Sequence, residues 1–95
     1  MVKTKKFRIN SLNIIELTIS HNGYQGGDSG HGGFVEVTIE NYACTAMFLN
    51  GEEVEKFTIR FEGDCERDTL ETACNLIANE LFINGNRSMP NIEQI

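Results

Sequence analysis

The residues best suited to chemistry lie together in one glycine-rich segment, residues 21–33. This segment holds six of the nine glycines, both histidines, an aspartate and a serine. Successive glycine amides can form a nest that binds an anion such as a phosphate group. We therefore expect a loop that binds a ligand or a partner. The expected binding residues are His21, Tyr24, Gln25, Asp28, Ser29, His31 and Phe34.

Three other interpretations of this segment follow from its sequence. It can be a flexible hairpin tip that binds nothing. His21, Asp28 and His31 carry side chains that bind transition metals, although their spacing matches no standard site. The run Gly27-Asp28-Ser29-Gly30 resembles the nucleophile segment of chymotrypsin-like serine proteases, but the likeness ends at His31 and the chain has no room for two barrels. We expect no catalytic residue and no resident metal or cofactor.

The three cysteines, Cys44, Cys65 and Cys74, have none of the spacings of metal or redox motifs. An odd number of cysteines is typical of a reducing compartment. Cys74 falls on an apolar helical stripe, where cysteine acts as a small core residue, and the acidic neighbours of Cys65 oppose a thiolate. No apolar run is long enough for a membrane helix, and the N-terminal residues do not read as a signal peptide. We therefore expect a cytoplasmic protein.

The charge of the chain is strongly uneven. The formal net charge is -6, from 14 acidic and 8 basic residues. Ten acids lie between Glu36 and Glu71, with only three bases among them. A field of this sign repels nucleic-acid phosphates but attracts a basic protein surface, unless the charges serve only solubility. The expected acidic partner surface comprises Glu36, Glu40, Glu52, Glu53, Glu55, Glu62, Asp64, Glu66 and Asp68.

Period-two alternation of apolar and polar residues predicts the strands that must position these groups. In residues 34–40, for example, Val35, Val37 and Ile39 face one way while acidic and threonine residues face the other. Asn50-Gly51 is a strong hairpin signal. The expected strands are residues 12–20, 34–40, 43–49 and 54–61.

After Gly63, apolar residues recur at steps of three and four, which predicts an amphipathic helix that ends at Asn84-Gly85. We therefore expect one α+β domain over residues 1–95, with a four-stranded, mainly antiparallel sheet and one C-terminal helix packed on one face. Residues 1–10 are expected to be a frayed basic segment, and residues 86–95 an irregular tail.

In size and composition, the chain resembles the small acidic α+β proteins that phages and mobile elements use against bacterial defences, anti-CRISPR proteins among them. The resemblance rests on the acids between Glu36 and Glu71 and on loop 21–33, and no sequence motif carries it. It implies a non-enzymatic inhibitor that works in the host-cell cytoplasm and binds a host protein, often at its nucleic-acid-binding surface. Some proteins of this kind instead sequester signalling nucleotides, usually as oligomers.

Three functions follow as expectations. The first is an inhibitor that binds a basic host protein through the acidic surface and loop 21–33. The second is a binding module that sequesters a phosphate-bearing nucleotide through the same loop. The third is a metal-dependent enzyme built on His21, Asp28 and His31. A homodimer, formed through an exposed sheet face or an edge strand, is compatible with each of them.

Overall fold

The structure, a computed structural model, describes residues 1–84 and 91–95, which form seven strands and one helix. In chain order these elements are β1 (Lys3–Asn10), β2 (Ile14–His21), β3 (Phe34–Ala43), β4 (Met47–Leu49), β5 (Glu52–Val54), β6 (Lys56–Glu62), α1 (Asp64–Asn84) and β7 (Asn91–Gln94). Five strands form one antiparallel sheet in the order β6-β3-β2-β1-β7. Strands β4 and β5 pair separately as a two-stranded sheet. The predicted α+β class and the helix after the strands are confirmed.

Alternation along the strands gives the main sheet two different faces. Leu17, Ile39 and Phe57 lie opposite one another in register on neighbouring strands, and this row belongs to the inner face, which carries α1. The next row, formed by Thr18, Thr38 and Thr58, belongs to the polar outer face. The inward and outward assignments predicted for the central strands are confirmed.

The main sheet has five strands rather than the four predicted. Residues 1–10, expected to fray, instead contain β1, which pairs with β2 along its whole length. Phe7 and Ile9 alternate with charged residues in β1, so the strand adds apolar side chains to the inner face. Within the expected irregular tail, β7 pairs with the outer edge of β1. Residues 86–90 of that tail lie outside the described residues.

The strand expected at residues 43–49 is wrong as one element, because β3 extends to Ala43 and only β4 remains of the rest. Cys44 separates them with a left-handed backbone (φ 62°), a conformation that interrupts a strand. Asn50 and Gly51 then adopt φ values of 53° and 84°. Two consecutive positive φ angles are typical of the tight turn that matches the twist of a hairpin, so the predicted hairpin is confirmed.

The helix begins at Asp64, after Gly63 as expected, and ends at Asn84, where the Asn84-Gly85 signal predicted its end; Gly85 lies outside the described residues. It contacts β3 and β6 at one side of the main sheet. Leu70, in its second turn, is 8% exposed and is the single buried large apolar residue among those described. Ile77 and Phe82 are 60% and 70% exposed. The helix therefore packs through its first turns, and its later turns leave apolar side chains open.

Candidate functional site

The glycine-rich loop between β2 and β3 folds around the start of α1. The Asp64 carboxylate accepts hydrogen bonds from the backbone N–H groups of Gln25 (3.1 Å), Gly26 (2.8 Å) and Gly33 (2.8 Å). The backbone N–H of Asp64 in turn donates to the carbonyl of Gly27 (2.8 Å). The bonds from Gly33 and Gln25, which favour the charged form, hold the pKa of Asp64 below its ordinary value. The amide nest expected to bind a phosphate thus holds a carboxylate of the chain itself.

Loop residues also cap the first turn of the helix. The Asp28 carboxylate accepts a hydrogen bond of 2.9 Å from the backbone N–H of Cys65, one of the helix-start amides that has no partner within the helix. In the opposite direction, the backbone N–H of Ser29 donates to both carboxylate oxygens of Glu66 at 3.1 Å. The loop and the helix therefore exchange hydrogen bonds both ways, which gives the loop a defined position on the helix.

Tyr24 lies against the side of α1. Its hydroxyl donates a hydrogen bond of 2.5 Å to the Asp68 carboxylate, and the Arg67 guanidinium lies 4.6 Å from the centre of its ring. The hydrogen bond to Asp68 raises the pKa of the Tyr24 phenol, because the bond exists only while the phenol is protonated. The loop is thus attached to three successive acids of the helix, namely Asp64, Glu66 and Asp68.

The glycines of the loop allow its backbone segments to pack closely against one another. Gly33 is buried, and a side chain there would overlap the carbonyl oxygen of Gly23. Gly32 has φ 99°, and a Cβ atom there would lie 2.6 Å from the carbonyl oxygen of Gly27. Only glycine allows the backbone to turn back on itself at these distances. The loop's unusual composition therefore has an explanation within the fold.

The residues proposed to bind a ligand do not converge on one site. His21 lies on the inner face in register with Val35 and lines a cavity of about 310 Å³ beside α1. Phe34 lies in the row next to Val35, on the outer face, where the Arg60 guanidinium lies 4.1 Å from its ring centre. Tyr24 packs at the helix. The other four, Gln25, Asp28, Ser29 and His31, lie in the loop itself.

His21, Asp28 and His31 are not brought together as a metal site. Among residues 1–84 and 91–95, no three histidine, cysteine, aspartate or glutamate side chains are close enough to hold a metal ion. All three cysteines carry free, exposed thiols. The thiol of Cys65 donates to Asp28, and this bond raises the pKa of the Cys65 thiol, which makes it a poor nucleophile.

The acids predicted to form one surface lie in three separate places. On the outer sheet face, Arg60 forms ion pairs with Glu36 (3.1 Å) and Glu62 (2.5 Å), and Glu40 lies in register with Lys56. At the helix start, Asp64 and Glu66 accept hydrogen bonds from backbone amides of the loop, and Asp68 accepts one from the hydroxyl of Tyr24. In the hairpin region are Glu52, Glu53 and Glu55. Among the described residues, Glu52, Glu53 and Glu55 form no ion pair, and Glu55 accepts a hydrogen bond of 2.7 Å from the side-chain amide of Asn41.

The hairpin β4–β5 also presents an aromatic side chain that the sequence analysis did not assign to a site. Phe48 is 65% exposed and lies directly opposite Glu53 in the hairpin register. The apolar run around Phe48 predicted a strand over residues 43–49, and no binding role was assigned to Phe48 within it. The Asn50-Gly51 turn could have indicated this exposure, because it places Phe48 close to the tip of a hairpin. The strand that follows the turn begins with two glutamates, Glu52 and Glu53.

Comparison with known protein families, curated proteins and solved structures finds no match to the chain. Within the described part of the chain, the helix is not long and apolar enough to cross a membrane. The function proposed below therefore rests on the contacts, exposure and charge of this chain's own residues.

Replacing Asp64 with asparagine is expected to lower the midpoint of thermal unfolding at pH 7 by about 5 °C, the scale of a lost helix-start contact in a domain of this size. The pKa of Asp64 is lowered in the fold, so its stabilisation is complete above its ordinary pKa of 3.8 and is lost as the pH falls below that value. The variant should therefore lose less stability than the wild type between pH 4 and pH 2. Circular dichroism melts across this range measure both effects.

Glu53→Gln serves as the matched control, since it removes one exposed carboxylate from the hairpin, away from the loop. Its melting midpoint should stay within about 2 °C of the wild type. If Asp64→Asn and Glu53→Gln melt alike at pH 7, the bonds from Asp64 to the loop do not stabilise the fold.

Replacing Asp28 with asparagine is expected to make the Cys65 thiol more reactive. The variant removes the negative charge beside the thiol, so the pKa of Cys65 should fall and its alkylation by iodoacetamide at pH 8 should become several-fold faster. Mass spectrometry of tryptic peptides follows Cys65 and Cys74 separately, because they fall on different peptides. An unchanged rate at Cys65, with Cys74 as the internal reference, would contradict the assigned contact.

Proposed function

We propose that this chain is a non-enzymatic binding protein that recognises a basic protein surface through the hairpin β4–β5. The observation that carries this proposal is the exposed ring of Phe48 beside the Glu53 carboxylate, on a hairpin that is paired separately from the main sheet. Aromatic residues, phenylalanine among them, are enriched at protein interfaces relative to the rest of the protein surface. An unpaired carboxylate beside such a ring selects a partner of opposite charge.

The base of the hairpin is fixed by a single asparagine at the end of β3. The backbone N–H of Asn41 donates to the carbonyl of Glu55 at 2.7 Å, and its side-chain amide donates to the Glu55 carboxylate at 2.7 Å. The side-chain oxygen of Asn41 accepts a bond of 3.3 Å from the backbone N–H of Thr45. Asn41 therefore bonds to the residues on both sides of the hairpin, Thr45 and Glu55. Because these bonds fix the position of the hairpin before it binds, less conformational entropy is lost on binding.

The chemistry of the hairpin favours a partner rich in arginine or lysine. No lysine or arginine occurs between residues 43 and 55, so no basic residue of the hairpin itself neutralises Glu52 and Glu53. The face of the Phe48 ring can take a guanidinium group, and the two carboxylates can pair with further cations. The partner class we propose is a protein with a basic nucleic-acid-binding surface, as the resemblance to small phage anti-defence inhibitors implies.

The outer face of the main sheet also carries several charged residues, but it is a weaker binding surface for a basic partner. On the outer sheet face, four basic side chains stand among five acidic ones, so the face is close to neutral. These nine residues are Lys6, Arg8, Lys56, Arg60, Glu16, Glu36, Glu40, Glu62 and Glu93. Ion pairs at exposed positions such as these contribute little attraction to a third charge. The hairpin is therefore the place where the negative charge of the chain is most available.

The nucleotide-binding alternative receives less support from the geometry. A phosphate bound in loop 21–33 would need the N–H groups of Gln25, Gly26 and Gly33, which already donate to Asp64. No lysine or arginine lies within the loop to offset the added charge. Binding there would first require Asp64 to leave its three hydrogen bonds, which costs free energy before any ligand contact forms.

Replacing Phe48 with alanine is expected to weaken binding about 30-fold, the effect of losing one interface anchor. Glu53→Lys should weaken it at 50 mM salt and should also reduce the loss of affinity between 50 and 300 mM salt. Tagged wild-type protein is first used to isolate partners from bacterial lysate, and the purified partner is then titrated against each variant by biolayer interferometry.

Glu93→Lys is the matched control, because it makes the same charge change on an exposed residue of β7, at the opposite edge of the main sheet from β6. It should bind the partner within about twofold of the wild type. A purified partner that binds Phe48→Ala and Glu53→Lys as tightly as the control would place the binding surface away from the hairpin.

A further inference from the structure

The inner face of the main sheet is wider than the single helix that covers it. Five strands spaced about 4.8 Å apart span about 20 Å, whereas a helix with its side chains is about 10 Å across. The helix contacts β3 and β6, at one side of the sheet. Among the described residues, the side formed by β2, β1 and β7 carries Phe7, Ile9 and Ile92, of which Phe7 and Ile9 are half-buried and Ile92 is 53% exposed.

A groove of about 750 Å³ lies between the later turns of α1 and the strands β1 and β2. Ile9 and Leu17 line it from the sheet. The helix contributes a ridge of apolar side chains, and among them Ile77, Leu81 and Phe82 are 60%, 58% and 70% exposed. None of the described residues that line this groove carries a charge; they are Ile9, Leu17, Cys74, Ile77, Ala78, Asn79, Leu81 and Phe82.

The accessible area of the chain is larger than that of a compact monomer of the same mass. A folded monomer of 10.7 kDa has an accessible surface of about 5,500 Å². This chain exposes 6,888 Å², which is about 1,400 Å² more than that reference. Its radius of gyration is 14.7 Å, against about 12.4 Å for a compact domain of this length.

We propose that a second copy of this chain covers the groove and that the protein is an obligate homodimer. If each of two copies buried its additional accessible surface of about 1,400 Å², the dimer interface would bury about 2,800 Å² in total. This area is within the range of obligate homodimers. The ridge of α1 and the groove beside it lie on the same face, so a two-fold axis places each helix in the groove of the other copy. The second helix covers the side of the sheet formed by β2, β1 and β7.

The charge of the groove favours a second copy over the basic partner of the hairpin. A basic protein would find no carboxylate among the groove-lining residues, whereas two identical apolar faces complement each other. The net charge of -6 makes two copies repel at long range, but this repulsion is screened by salt, and the described groove lining itself is uncharged. This inference does not depend on the hairpin, which is not part of the groove lining.

The test is the mass and the melting behaviour of the full chain in solution. Light scattering on a sizing column should give twice 10.7 kDa at micromolar concentration. Because an obligate dimer unfolds and dissociates together, its melting midpoint should rise as protein concentration rises from 1 to 100 μM. A folded species of 10.7 kDa with a midpoint independent of concentration would overturn the proposal and would leave a foreign apolar partner for the groove.

Two alanine variants at neighbouring positions identify the interface. Ile77 lines the groove, while Leu76 is 64% exposed on another side of the helix, beside Asp68, Thr69 and Thr72. Ile77→Ala should raise the dissociation constant of the dimer at least tenfold, and Leu76→Ala should change it by less than about threefold. A dimer that both variants leave equally tight would place the contact elsewhere, such as an edge strand, and would overturn the assignment to the groove.

Discussion

The carboxylate of Asp64 fixes how the two layers of this fold meet. An acid at the start of a helix ordinarily caps that helix, but here Asp64 bonds to amides of the glycine-rich loop and Asp28 of the loop supplies the cap at Cys65. This exchange orders a loop whose glycines would otherwise keep high conformational entropy. It also attaches α1 to the sheet by its first turn. Leu70, close to that end, is buried, whereas the later turns carry the exposed apolar ridge.

The hydrogen bonds between the loop and the start of α1 also determine which acidic side chains are available to a partner. Asp64 and Glu66 count toward the net charge of -6, but their oxygens accept bonds from backbone amides of the loop. On the outer face, Arg60 offsets Glu36 and Glu62. The chain therefore has three surfaces of different character, namely a near-neutral polar face, an uncharged apolar groove and an acidic hairpin. Each is suited to a different contact, so the net charge alone does not describe how the protein binds.

Local patterns were sufficient for some elements and not for others. Alternation in residues 34–40, the period of the helix and the Asn50-Gly51 turn depend on near neighbours in sequence, and each predicted its element. In residues 3–8, four basic residues hid the alternation that places Phe7 in a strand, and β7 is only four residues long. The bonds of Asp64 join residues 31 to 39 positions apart, for which the sequence holds no local signal.

Apolar burial within one chain is limited among the described residues of this fold. Hydrogen bonds between the loop and the helix replace bonds to water, so each adds only about 1 kcal/mol net. Ordering six glycines opposes this gain, because glycine loses more backbone freedom than other residues. The main favourable contribution must therefore be apolar burial, yet Leu70 is the only large apolar side chain buried among the described residues. The proposed dimer would add burial at the groove beside α1, whose described lining residues carry no charge.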